Sequence, residues 1–239
     1  MSKSEIIRFI ILRTIGNFLI LFAIFGFFAT FGPSLYYEAK FRIANARGVQ
    51  YKVAEPIESQ TSPLGELMKK QKEEQKISGG LASVLAGPKE QILIPKDTEF
   101  DILIPKIGAN AKVFANVDPS NEKEFLSTLQ KGVAHAKGTS FPGMKSNIYL
   151  FAHSADNFWA VGRYNAVFYL LKDLAMGDDI IVFFQDKRFN YKVAETKITD
   201  PSDVSYLAKQ TKGEEILILQ TCWPPGTTWR RLIVIAKPK

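Results

Sequence analysis

Between Arg13 and Glu38 the chain carries no charged residue. The block reads TIGNFLILFAIFGFFATFGPSLYY, and no other feature limits the fold so strongly. A helix crosses the hydrocarbon core of a bilayer with roughly 20 apolar residues. Gly16 and Gly26 are compatible with such a helix, because glycine is common in membrane spans. A cleaved signal peptide has a shorter apolar core and a small-residue cleavage site, whereas this run is long and no Ala-x-Ala site follows it. The expectation is an N-terminal tail and transmembrane helix within residues 1–37. Flanking charge does not orient it. Lys3, Arg8 and Arg13 precede the span, and Lys40, Arg42, Arg47 and Lys52 follow it, so the positive-inside rule picks no side.

The formal net charge is +7. Its lysines are scattered, and no basic motif interleaved with aromatics appears, which argues against nucleic acid as a partner. Attraction to an anionic membrane or cell-wall surface is the simpler reading. Cys222 is the only cysteine, so no intrachain disulfide can form. A lone thiol is either a small buried hydrophobe or a reactive group.

Residues 38–90 change character. YEAKFRIANARGVQYKVAE continues as a helix for some turns, and ESQTSPLGELMKKQKEEQKISGG reads as a solvated linker or stalk, partly helical in LGELMKKQKEEQK. From Gln91 the pattern is β. ILIPK and DILIPKIGANAKVF lead. NEKEFLSTLQKG is a helix with Asn121 as N-cap and Glu124 completing a capping box. SNIYLFAHS is a strand, and NAVFYLLKDLAMGD predicts an amphipathic helix ending at Gly177. DDIIVFF and FNYKVAETKI are strands joined by a short turn. DPSDVSYLAK is a short helical crossover before the last strands, EEILILQTC and WRRLIVIAK. Many short strands with few helices in residues 91–239 indicate a mostly β domain, an antiparallel barrel or sandwich.

Within that pattern Cys222 ends one strand, Pro224, Pro225 and Gly226 force a loop, and Arg230 and Arg231 open the next strand. If the two strands pair, an arginine returns to the thiol. A guanidinium there lowers a thiol pKa or donates to a developing oxyanion. Consecutive strand residues face opposite ways, so only one arginine can do this, and alternation does not say which. A thiol nucleophile also needs a proton partner. The two histidines are His153, ending the strand SNIYLFAHS, and His135, in the loop GVAHAKGTSFPG. Two histidines and one cysteine without a close-set ligand pair do not make a zinc site.

GVAHAKGTSFPG, SNIYLFAHSA, ILQTCWP and RLIVIA, in this order and behind a membrane anchor, resemble the sortase family of cysteine transpeptidases. The resemblance runs roughly from Ile102 to Ala236 and includes IPKIGANAKV and DPSDVSYL. Two departures stand out. Ile218-Leu219-Gln220-Thr221-Cys222 lacks the first threonine of the family's Thr-Leu-x-Thr-Cys, and FAHSA stands where many members have Gly-His-Arg.

The resemblance implies a closed sortase-like β-barrel over residues 91–239, with Cys222 as nucleophile, His153 as acid and base, and Arg231 as oxyanion holder, Arg230 being the fallback. Thr221 is expected to position substrate or donate a hydrogen bond. His135 is expected to be structural, and Asp156 and Asn157 to be bystanders. The implied activity is cleavage of an LPxTG-like sorting signal through a thioacyl enzyme, then transfer to an amine acceptor such as cell-wall precursor or a pilin lysine. No cofactor is expected, and no residue is assigned to a metal. The implied location is the cell membrane, single-pass, with the N-terminus cytoplasmic and the catalytic domain outside. The competing reading is a non-catalytic envelope binding module on the same barrel.

Overall fold

A computed structural model describes residues 3–53, 85, 87–154, 167–208 and 213–239. The helical stretch expected in LGELMKKQKEEQK, together with Asp156 and Asn157, lies outside the described residues. Helix α1 runs unbroken over Lys3–Ala46. Its part Lys3–Ala29 has a mean hydropathy of 2.1 and none of it is buried against the rest of the protein, so it is long and apolar enough to cross a membrane. At 1.5 Å per residue that part measures roughly 40 Å, more than the ~30 Å of a hydrocarbon core.

The far end of α1 docks on the folded domain. Phe41 packs at the margin of the main core. Ala44 and Val49 form a small cluster with Ile43 and Tyr51. Glu38 accepts a hydrogen bond from Lys172 Nζ at 2.9 Å, and Arg47 Nη2 donates to the Gly87 carbonyl at 2.9 Å.

Two short parallel strands, β1 (Gln50–Val53) and β2 (Glu90–Leu93), form a separate ribbon. The barrel strands are β3 (Phe100–Ile104), β4 (Ala109–Val117), β5 (Val133–Ala136), β6 (Asn147–Phe151), β7 (Asp179–Phe184), β8 (Lys187–Thr199), β9 (Ile216–Trp223) and β10 (Arg230–Pro238). They close in the order β10-β8-β7-β3-β4-β5-β6-β9. The protein is thus mostly β, with a closed eight-stranded barrel and few helices. The barrel is mixed rather than purely antiparallel, since β4–β5 and β6–β9 pair in parallel. Parallel neighbours need a crossover. Helix α2 (Glu122–Leu129) supplies the one between β4 and β5. Its N-cap is Asn121, which accepts from the Glu124 N–H, as the capping pattern predicts.

Strand alternation sorts the side chains. Ile102, Ile148, Leu150, Leu217, Leu219 and Val234 point inward and are fully buried. On the outer face of β3 and β7, Leu103, Ile181 and Phe183 are covered by Leu93, Tyr51 and Val53 of the ribbon. The outer face of β6, β9 and β10 carries Tyr149, Phe151, Ile218 and Ile233, all buried, and the site described below lies there.

Of the expected helix NAVFYLLKDLAMGD, the described part, from Val167 on, differs from its expected form. From Tyr169 to Asp173 it is a 3-10 turn. Phe168, Leu171 and Leu174 recur every third residue and are all buried, with Leu171 and Leu174 N–H groups bonding three residues back. That spacing matches three residues per turn.

Candidate active site

Cys222 and Arg231 are direct cross-strand partners in the antiparallel β9–β10 pair, while Arg230 lies opposite Trp223. Directly opposed residues project to the same face, so Arg231 and not Arg230 shares the face of the thiol. Arg231 Nη1 donates to the carbonyls of Thr228 at 3.1 Å and Arg230 at 3.2 Å. These bonds fix the guanidinium against the β9–β10 loop. Among the described residues they leave the Nε and Nη2 hydrogens for a ligand.

His153 follows β6 by two residues, on the face of Tyr149 and Phe151. It lines the same cavity as Cys222 and Arg231, a cleft of about 490 Å³. Parallel pairing of β6 with β9 sets the level at which it arrives: Phe151 is the partner of Gln220, and the Ala152 N–H continues the ladder to the Gln220 carbonyl at 3.2 Å. The structure therefore brings the three residues singled out from sequence into one cleft, with Cys222 half-buried.

Thr221 points inward beneath this floor. It is only 2% exposed, and its hydroxyl donates to the Ala152 carbonyl at 2.9 Å. This bond joins the residue before the thiol to the residue before the imidazole.

One wall of the cleft is α2, which presents Glu122, Phe125, Leu126 and Leu129, the spacing of a single helix face. Phe125 anchors it edge-on to Phe151, with ring centroids 6.4 Å apart. The opposite wall is the segment from Pro201 into the short helix α3 (Ser205–Ala208), contributing Asp203, Val204 and Leu207. Gly226, Thr227 and Thr228 close the end beyond the thiol. Sequence reasoning missed Tyr149 and Gln220 on the floor, where the Tyr149 hydroxyl donates to Gln220 Oε1. Counting back four residues from His153 and two from Cys222 along the same strand faces would have found both.

His135 is elsewhere. It is fully buried on β5, with Nδ1 accepting from the Asn116 N–H at 3.2 Å and Nε2 against the Ser140 carbonyl at 3.0 Å. Asn116 sits where the β4–β5 register slips and has a φ of 57°. The imidazole thus satisfies an N–H that the bulge removes from the ladder. Burial pushes its pKa below the usual 6.5. Among the described residues no cluster of three or more metal-ligating side chains occurs.

A closed barrel thus carries a half-buried thiol, a histidine and an arginine in one walled groove on its outer face. Residues 102–239 match the sortase domain family. This chain belongs to the sortase family. It is 31% identical over 137 residues to sortase D of Bacillus subtilis (strain 168), a match covering 56% of this chain and 60% of that protein's length. In structure it is similar to sortase C-1 from Actinomyces oris, with a TM-score of 0.51 at 21% identity, covering 85% of this chain and 97% of that one. It is also similar to sortase C1 of GBS pilus island 1, with a TM-score of 0.50 at 23% identity, covering 86% and 83%. At these identities the structural likeness is one of fold.

Proposed function

We propose that the protein is a membrane-anchored cysteine transpeptidase acting on LPxTG-like sorting signals of secreted proteins. The observation that carries this reading is the pairing of Cys222 with Arg231 in the cleft that also holds His153. The Cys222 thiolate attacks the carbonyl carbon of the scissile bond, and Arg231 N–H groups stabilise the oxyanion. The C–N bond breaks as His153, as imidazolium, gives its proton to the leaving amine, and a thioester remains on Cys222. An incoming amine of the cell envelope, from cell-wall precursor or a pilin lysine, attacks the thioester. It gives its proton to His153 and releases the sulfur as thiolate. Thr221 serves the substrate floor from below, through Ala152. Helix α1 anchors the chain in the membrane with the N-terminus cytoplasmic and the barrel outside. The apolar stretch Lys3–Ala29 and the membership of the family support that arrangement.

The test uses the full chain in nanodiscs, a panel of fluorogenic LPxTG-type peptides and an amine acceptor. The expected result is peptide turnover with ligated product, and a thioester adduct on Cys222 by mass spectrometry. Equal inactivity of wild type and Cys222→Ala on every peptide would sink the reading.

A further inference from the structure

The Tyr149–Gln220 pair lies on the floor of the cleft, and no reacting group accounts for it. Gln220 is two residues before Cys222 on β9 and faces the same way, so its Cα is roughly 7 Å from that of the nucleophile. Tyr149 is 5% exposed and its hydroxyl donates to Gln220 Oε1. Burial pushes the phenol well above its usual pKa of 10.0, so it remains a donor at any working pH. A side-chain amide has one acceptor end and one donor end. With the oxygen held by Tyr149, Nε2 is the uncommitted end of an amide whose residue lines the cleft. Among the described residues that Nε2 meets no acceptor. Two N–H bonds are thus offered to whatever occupies the groove.

The position of this donor selects its ligand. An extended peptide advances about 3.3 Å per residue, so a peptide lying along β9 with its scissile carbonyl at Cys222 passes Gln220 two residues away. This length of the cleft has walls on both sides, with Leu129 on α2 and Leu207 on α3. It is the part able to hold the acyl portion while the thioester persists. We propose that Gln220, oriented by Tyr149, is a positioning residue that donates to the backbone carbonyl of the acyl-donor peptide two residues upstream of the scissile carbonyl. The inference rests on the transpeptidase reading for its substrate class.

The test compares wild type with Gln220→Glu in the full chain at pH 8. A glutamate carboxyl is ionised there. It still accepts from Tyr149 but offers no N–H. The expected change is a KM about five- to twentyfold higher with kcat within about twofold, the size of losing one modest hydrogen bond in the bound states. A thioamide placed at the upstream residue weakens the acceptor. It should impair wild type by a similar factor and leave Gln220→Glu unaffected. Tyr149→Phe, which frees the amide to rotate, should raise KM by a smaller factor. Anisotropy binding of the same peptides to Cys222→Ala, alone and combined with Gln220→Glu, reads the contact without catalysis. A weakened Kd in the double variant with no turnover in wild type would keep the inference and overturn the transpeptidase reading. An unchanged KM and Kd in Gln220→Glu, or an equal thioamide penalty in both proteins, would overturn the inference.

Discussion

Cys222 and Arg231 face each other across β9 and β10, one register step from Trp223 and Arg230. Pairing alone thus separates two adjacent arginines. Arg231→Ala should lower kcat by about two to three orders of magnitude, the range for losing an oxyanion donor. Arg230→Ala should stay within about threefold of wild type, the change a surface charge produces by screened attraction. Steady-state kinetics on one peptide decide it, and the reverse ranking would mean that the register is wrong.

Thr221 ties the thiol strand to the end of β6 through its bond to the Ala152 carbonyl. Thr221→Val preserves shape but leaves a buried acceptor short of a partner, which costs about 1–3 kcal/mol. Denaturant unfolding should show this loss at unchanged m-value. The turnover number should also fall, because His153 follows Ala152 directly. Full stability in the valine variant would remove the bond from any role.

Asp101 on β3 is fully buried, with Oδ2 accepting from the N–H groups of Lys96 at 2.6 Å and Asp97 at 3.2 Å. Its Oδ1 has no partner among the described residues. Burial pushes this carboxyl from 3.8 up to about 6, against the pull of those N–H bonds. A folded-state pKa above the unfolded value gives stability that is complete below pH 3.8 and lost as pH rises through 6. The size is on the order of 3 kcal/mol. His135 has the opposite sign: its pKa is depressed, so its contribution is present above pH 6.5 and falls away on acidification. The clean measurement is therefore a difference. Relative to wild type, Asp101→Asn should gain about 2–3 kcal/mol on going from pH 4 to pH 7.5. Parallel stability curves for the two proteins would refute the assignment.

Lys172 joins the 3-10 turn to α1 through Glu38, and both side chains are about one-fifth exposed, at 21% and 19%. The Lys172 bond is the main cause of the lowered Glu38 pKa. A pair of this exposure contributes about 1 kcal/mol. Lys172→Met should leave barrel unfolding nearly unchanged while amide exchange in residues 38–46 accelerates severalfold. Unaltered exchange would show that Phe41 and Ala44 hold the helix end without the ion pair.

Much of this protein is written in local pattern. The run before Glu38 dictates a long apolar helix because no charge falls within it and its Gly32-Pro33 step comes only near its end. The Asn121–Glu124 spacing caps α2, and the short apolar runs ILIL and LIVIA on either side of the Pro224-Pro225-Gly226 break mark β9 and β10. These readings succeed because hydrophobic period and capping act over a few residues. Three things required the tertiary structure. Tyr169–Asp173 forms a 3-10 turn, with Phe168, Leu171 and Leu174 buried at a spacing of three that only the packed structure rewards. The parallel pairing of β6 with β9 joins residues about 70 apart, and no local signal encodes it. The choice of Arg231 over Arg230 follows from register. A strand flips its side chains with every residue, so only the partner strand decides which of two neighbouring arginines meets the thiol.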